Sequence, residues 1–171
     1  MKTLTIVRHA KSSWANPGLG DRERPLNERG ERDAPLMGKR MHEAGIRPSL
    51  IVSSPAVRAW TTARLVASEL SYPLEFLQRE NDLYLASVND ILDVILAQDN
   101  GFNNLMSVGH NPGLTDFANY LQPGLTSNLP TTGVVSVSIE QDDWNLYERP
   151  KTKILLHDCP KNKRPRKTTA S

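Results

Sequence analysis

Long apolar runs are scarce in this 171-residue sequence. The longest are only a few residues, such as Ile51–Val52 and Ile154–Leu156, whereas a membrane-spanning helix needs about 20. At the start of the chain, Arg8 and His9 interrupt the apolar residues before a stretch of about 7 to 15 can form, as a secretory signal requires. We therefore expect a cytoplasmic protein with no membrane partner.

Cysteine is almost absent, since Cys159 is the only one, and this excludes a disulfide framework and a cysteine-rich zinc site. Charge is unevenly distributed: residues 1–148 carry 13 Lys and Arg against 18 Asp and Glu, and residues 149–171 carry 8 against 1. Clustered cations over 161–167 could bind nucleic acid or an acidic partner by releasing counterions. We favour a solvated, flexible basic tail over 151–171, which makes nucleic acid an unexpected partner.

Strand-like runs alternate with helical patterns through residues 1–150, which predicts one α/β domain with a mostly parallel central sheet. Three short apolar runs are predicted to be buried strands, and three sets of apolar residues recur at helical spacing. The strands are Leu4–Val7, Leu50–Ser53 and Leu105–Val108, and the helices span Trp60–Leu70, Val88–Leu96 and Leu114–Leu121.

Less regular patterns predict two further elements, a helix and a hairpin. A helix should begin at Asn27, with Pro35 forcing a kink or a restart near Asp33, because proline removes a helical hydrogen bond. Near the other end, Val134–Ile139 and Asn145–Glu148 flank a polar turn, which predicts a hairpin at the edge of the sheet.

Polar motifs follow each of the three predicted core strands. They are Arg8–Lys11, Ser53–Ala59 with Arg58 in the first turn of a helix, and Gly109–Gly113, in which Asn111 and Pro112 suit a helix cap and first turn. In an open parallel sheet, ligands bind at the carboxyl ends of the strands. Two arginines, two histidines and two helix N-termini would meet there, and each of these groups favours an anion. The sequence therefore predicts a phosphate site.

Two histidines in such a site suggest catalysis as well as binding. A neutral imidazole can attack phosphorus and form a covalent N-phosphoryl intermediate, and His9, between a strand and a loop, is the natural nucleophile. Arg8, Arg58 and His110 would neutralise the phosphoryl oxygens as charge shifts in the transition state. These cations can fill the role that Mg²⁺ has elsewhere, so we predict neither a metal nor a cofactor.

These motifs, in this order, resemble those of the histidine phosphatase superfamily, with its phosphoglycerate-mutase-like fold. The stretch Arg8–Trp14, Asp21 with Arg24–Leu26, and Arg32–Pro35 are similar to the SixA-type phosphohistidine phosphatases, and the resemblance runs from residue 2 to about 139. It implies a three-layer α/β/α fold and removal of a phosphoryl group through a phosphohistidine on His9, with Arg8, Arg58 and His110 completing the pocket.

The acid that would protonate a leaving group is not assigned by the motifs. Asn111 stands where the phytase-like branch has aspartate, which leaves Asp21, Glu80 and Asp82 as candidates. A site without a well-placed acid would favour P–N over P–O substrates, because an imidazole can be protonated before its bond to phosphorus breaks. The expected partner is then a phosphohistidine-bearing protein, such as a phosphocarrier or phosphotransfer domain.

Two alternatives remain open at the level of sequence. One is a phosphatase or mutase for small phosphate esters, although 171 residues leave little room for elements that enclose a small substrate. The other is a non-catalytic phosphate-binding or nucleic-acid-associated module, against which the two histidines argue, since a binder needs cations but no nucleophile.

Overall fold

The computed structural model describes residues 1–163. Within these residues, six strands and four helices follow one another, and single turns of 3₁₀ helix cover Asp21–Glu23, Leu74–Phe76 and Asn81–Leu83. In chain order the elements are β1 (Lys2–Arg8), α1 (Glu28–Glu43), β2 (Leu50–Ser53), α2 (Val57–Glu69), β3 (Gln78–Arg79), α3 (Val88–Leu96), β4 (Asn104–Gly109), α4 (Gly113–Leu121), β5 (Val134–Ile139) and β6 (Thr152–Asp158).

The strands form one sheet in the order β3-β2-β4-β1-β5-β6. Strands β1 to β4 are parallel to their neighbours within that group, whereas β5 is antiparallel to β1 and to β6. This arrangement confirms the mostly parallel sheet. In the register, Arg8 pairs with Gly109 and Ser53 pairs with Val108, so β1, β2 and β4 end at the same edge.

Helices cover both faces of the sheet, as the three-layer prediction requires. Residues of β1 alternate between the two faces: Leu4 and Ile6 belong to the apolar cluster with α3 and α4, and Val7 belongs to the cluster with α1 and α2. All three side chains are essentially inaccessible to solvent. In the described residues, 1–163, no helix has the length and apolar character to cross a membrane.

Helix α1 begins where the sequence predicted, but it does not break at Pro35. The side chain of Asn27 caps the helix by accepting a hydrogen bond from the N–H of Gly30. The helix then continues through Pro35 to Glu43. Met37 and Met41 are fully buried in the cluster that α1 shares with α2. This packing compensates for the hydrogen bond that proline cannot donate, so the prediction of a restart near Asp33 is wrong.

The edge hairpin exists, but its second strand is β6 rather than Asn145–Glu148. Trp144 and Leu146 are fully buried and pack into the cluster of α3 and α4, which accounts for the apolar residues of that segment. The polar and basic residues of β6 obscured its pattern in the sequence. Residue 151 is therefore not the start of a flexible tail, because Thr152–Asp158 pairs with β5. The remainder of the predicted tail, from residue 164, lies outside the described residues.

Candidate active site

The carboxyl ends of β1, β2 and β4 bring the predicted site residues together. The N–H of His9 donates to the carbonyl of Gly109 at 3.0 Å, and the N–H of Ser54 donates to the carbonyl of Val108 at 3.0 Å. These bonds extend the sheet by one residue at each strand and place His9 and His110 side by side. Their ring centroids lie 5.2 Å apart, and the rings are tilted by 55°.

His9 is held in one tautomer. Its Nδ1 lies 2.7 Å from the carbonyl oxygen of Ala10, and because a carbonyl can only accept, Nδ1 carries the proton. The lone pair is therefore on Nε2. Burial lowers the pKa of His9 to about 4. The hydrogen bond to Ala10 opposes this shift, whereas the charges of nearby Arg58 and Arg8 add to it. The ring is neutral at pH 7, as an attacking imidazole must be.

His110 is also neutral, and one of its nitrogens is free for a ligand. Burial lowers its pKa to about 3, and repulsion from Arg58 and from a protonated His9 acts in the same direction. Its Nε2 lies 2.7 Å from the hydroxyl oxygen of Ser54. Within residues 1–163, Nδ1 is buried without a hydrogen-bond partner. When Ser54 donates to Nε2, Nδ1 carries a proton and can donate it to a phosphoryl oxygen.

Each of the two predicted arginines keeps one buried donor without a partner in residues 1–163. Arg58, the second residue of α2, is 3% exposed, and Arg8 is half-buried. Arg8 donates from Nη1 to the carbonyl of Leu129 at 3.0 Å. The Nε atoms of both arginines are buried without a partner among the described residues. Buried donors without acceptors are costly unless an anion binds them, so this pair suits a phosphoryl group.

Asp21 lies in the site, where its carboxylate is paired with arginines. Its carboxylate accepts from Nη2 of Arg58 at 3.0 Å, from Nε of Arg24 at 3.2 Å and from the hydroxyl of Tyr84. The Tyr84 hydrogen bond and the pairing with Arg58 lower the pKa of Asp21 to about 2, against a smaller effect of burial. At pH 7 the carboxyl group has no proton to give in this geometry.

Glu80 and Asp82, the other two candidate acids, are held by local hydrogen bonds. The N–H of Glu80 donates to the carbonyl of Ser53 at 2.8 Å, which ties its backbone to the edge where β2 ends. The Glu80 carboxylate caps the following 3₁₀ turn by accepting from the N–H of Asp82 at 3.4 Å. In residues 1–163, neither carboxylate hydrogen bonds to His9 or His110.

Two contributors were not singled out from the sequence. Tyr84 holds Asp21 and packs edge-on against the ring of His110, with centroids 5.5 Å apart. Ser54 orients His110, although only its place in the Ser53–Ala59 motif drew attention to it. No spacing rule in the sequence connects Tyr84 with the edge where β1, β2 and β4 end, because Tyr84 follows an irregular turn.

Asn111 caps α4 from one residue further out than predicted. Pro112 takes the cap position, and the Asn111 side chain accepts a hydrogen bond from the N–H of Thr115.

Residues 1–163 contain no group of three or more His, Cys, Asp or Glu side chains that could hold a metal ion.

A model of the histidine phosphatase superfamily (branch 1) matches residues 4–90, which is half of the chain. The chain belongs to the histidine phosphatase superfamily. Its fold is also that of a candidate phosphohistidine phosphatase SixA from Agrobacterium tumefaciens, with a TM-score of 0.79 and 25% identity over 93% of this chain and 98% of that one. The family and this neighbour support phosphatase chemistry at a histidine and confirm the SixA-type resemblance.

Two curated relatives overlap with a smaller share of this chain. An uncharacterized chloroplastic protein of Arabidopsis thaliana is 27% identical over 84% of this chain and 69% of its own length. A 2,3-bisphosphoglycerate-dependent phosphoglycerate mutase of Thermobifida fusca is 38% identical over 40% of this chain, but the match spans only 29% of the mutase. The mutase's own activity therefore does not carry over to this chain.

Proposed function

We propose that the protein is a cytoplasmic phosphatase that removes the phosphoryl group from phosphohistidine in a partner protein, through a covalent phosphohistidine on His9. The observation that carries the proposal is the state of His9, a neutral ring whose proton is fixed on Nδ1 by Ala10 and whose Nε2 carries the lone pair. The cations Arg8 and Arg58 lie beside it.

In the first step, Nε2 of His9 attacks phosphorus while the bond between phosphorus and the leaving nitrogen breaks. The leaving imidazole keeps that electron pair. His9 becomes an N-phosphoryl imidazolium, whose charge the Ala10 carbonyl stabilises through the Nδ1–H. Arg8 and Arg58 neutralise the phosphoryl oxygens, and His110 donates a hydrogen bond to one of them. Water then attacks phosphorus, orthophosphate is released, and the electron pair returns to Nε2.

The preference for a P–N bond follows from the missing acid. Asp21 is ionised, and in residues 1–163 neither Glu80 nor Asp82 hydrogen bonds to His9 or His110. An alkoxide leaving group needs a proton during bond cleavage, and general acid catalysis contributes about 10²- to 10⁴-fold. A phosphorylated imidazole that is already protonated on its other nitrogen leaves as a neutral ring and needs no such group.

The test compares two peptides of the same sequence, one with phosphohistidine and one with phosphoserine, without added metal. We expect orthophosphate release from the phosphohistidine peptide and from a phosphocarrier protein, and loss of that release in His9→Ala. His42→Ala, an exposed histidine in the last turn of α1, is the matched control and should retain the activity. Faster hydrolysis of the phosphoserine peptide would contradict the proposal.

A small phosphate ester is the second candidate substrate, and the partial match to a phosphoglycerate mutase favours it. Turnover of p-nitrophenyl phosphate or phosphoglycerate, without turnover of either phosphohistidine substrate, would select this candidate. Binding of phosphate without His9-dependent turnover of any of these compounds would select the non-catalytic alternative.

A further inference from the structure

A cavity of about 230 Å³ adjoins Arg8. Four stretches of chain that are distant in sequence line it: the loop after β1, the first turn of α1, the loop before β5 and the residues after β6. Its charged lining consists of Arg8, Lys11, Arg29 and Lys161, and Asn128 and Cys159 are among the other residues that line it.

The charge of this cavity is unbalanced. None of the residues that line it is an Asp or a Glu. Arg29 donates from Nε to the carboxylate of Asp33 at 3.3 Å, which compensates one of the four cations. Lys11 and Lys161 are exposed, and within residues 1–163 their ammonium groups form no hydrogen bond or ion pair. Such a concentration of one sign in a concave site attracts anions.

Arg8 joins this cavity to the site at His9. Its Nη1 is occupied by the carbonyl of Leu129, and its Nε is buried without a partner in the described part of the chain. An anion in the cavity would therefore lie next to the phosphoryl group bound at His9. A substrate could fill both places only if it carried two negatively charged groups close together.

We propose that this cavity binds a second anionic group of the substrate, which in a phosphohistidine protein is an Asp or Glu side chain near the phosphorylated residue. The assignment rests on the proposed function and adds a specificity determinant to it. The sequence supports a protein source, because the positive charge continues past Lys161 through Lys163, Arg164, Arg166 and Lys167. A run of cations suits an acidic protein surface better than a compact small molecule.

The experiment measures the binding of labelled peptides that carry a stable triazole phosphonate in place of phosphohistidine. One Asp is placed in turn at each position from three residues before to three residues after the analogue, and each peptide is compared with its Asn counterpart. The pocket variant is Lys11→Gln with Lys161→Gln. The control is Lys39→Gln with Lys153→Gln, two exposed lysines whose removal changes the net charge equally. Lys153 pairs with Ser138, towards the opposite end of the sheet.

We expect at least one Asp peptide to bind wild type and the control about five- to tenfold more tightly than its Asn counterpart. The pocket variant should lose that preference, and added salt should weaken it. Equal binding of Asp and Asn peptides by wild type, or a preference that survives in the pocket variant, would overturn the inference.

A second experiment distinguishes failure of the inference about the cavity from failure of the proposed function. Calorimetry compares the affinities of an alkyl monophosphate and the corresponding bisphosphate for the same proteins. A bisphosphate preference that the pocket variant loses, without any Asp preference, would assign the second anion to a small molecule and overturn the protein source. If no phosphohistidine peptide is hydrolysed, the proposed function fails, while the Asp preference and the bisphosphate ratio still decide whether the cavity is an anion site.

Discussion

At the scale of single residues, the chemistry depends on the protonation of His9. Because burial lowers its pKa to about 4, the nucleophile is neutral from pH 5 upwards. We expect a proton NMR titration to show one histidine resonance with a midpoint near pH 4, and that resonance should be missing in His9→Asn. A midpoint near 6.5 for the same resonance would mean that the ring is more solvated than the structure indicates.

Asp21 gives a second prediction at this scale. Its carboxylate occupies Arg58, so it competes with a phosphoryl group for the same guanidinium. Asp21→Asn should bind orthophosphate about three- to tenfold more tightly, measured by calorimetry, because the competing charge is removed.

The same variant tests the alternative role of Asp21 as the general acid. As an ion-pair partner, its loss should change phosphohistidine hydrolysis by less than about tenfold, whereas loss of a general acid typically costs about 10²-fold or more. Asp142→Asn removes an equal charge from an exposed residue and is the matched control. Weaker phosphate binding together with a 10²-fold loss of turnover would show that Asp21 is part of the reaction.

At the scale of elements, the start of α4 depends on close packing at Gly113. A Cβ at this position would lie 2.0 Å from the carbonyl oxygen of Ala86, so Gly113→Ala must displace the helix that follows His110. We expect a loss of about 2 to 4 kcal/mol in unfolding free energy, measured with urea, and reduced turnover.

Gly109 provides the matched comparison, because it precedes His110 and is also a glycine. A Cβ there would lie 3.7 Å from the Leu114 side chain, which is ordinary van der Waals contact. Gly109→Ala should therefore cost less than about 1 kcal/mol. Similar losses in both variants would mean that the Ala86 contact does not hold α4 in place.

The elements also show what the sequence could predict and what it could not. Strands β1, β2 and β4 are mostly buried and largely apolar, with Thr5 and Ser107 among the polar residues inside them. The motifs that follow these strands lie at one edge because parallel strands end together. Strand β6 was missed because it lies at the edge, where alternate residues face solvent and polar side chains dilute the pattern. The Asp21–Tyr84 contact was missed because it joins two irregular segments whose approach depends on the whole fold.

At the scale of the whole molecule, the two buried histidines couple stability to pH. The folded pKa values of His9 and His110, about 4 and about 3, lie below the unfolded value near 6.5. The unfolded chain therefore binds protons first as the pH falls. The stability that the neutral rings contribute is complete above pH 6.5 and is lost progressively as the pH falls towards 3.

Urea unfolding at pH 7.5 and pH 4.5 measures this coupling. We expect the unfolding free energy of wild type to fall between these two pH values by roughly 1 to 3 kcal/mol more than that of His110→Asn, which lacks one of the titrating groups. Equal losses in the two proteins would show that His110 is protonated as easily in the folded protein as in the unfolded chain.

The place of β1 in the sheet also has a consequence for the order of events during synthesis. This strand leaves the ribosome before the other five strands described, but its two neighbours are β4 and β5, so that Thr3 pairs with Asn104 and Lys2 with Ile139. At about 5 to 20 residues per second, some 5 to 20 s or more separate the appearance of β1 from that of its partners. Both edges of an apolar strand remain unpaired in that interval. The nascent chain should therefore depend on chaperone protection, and His9 acquires its surroundings only as β5 emerges.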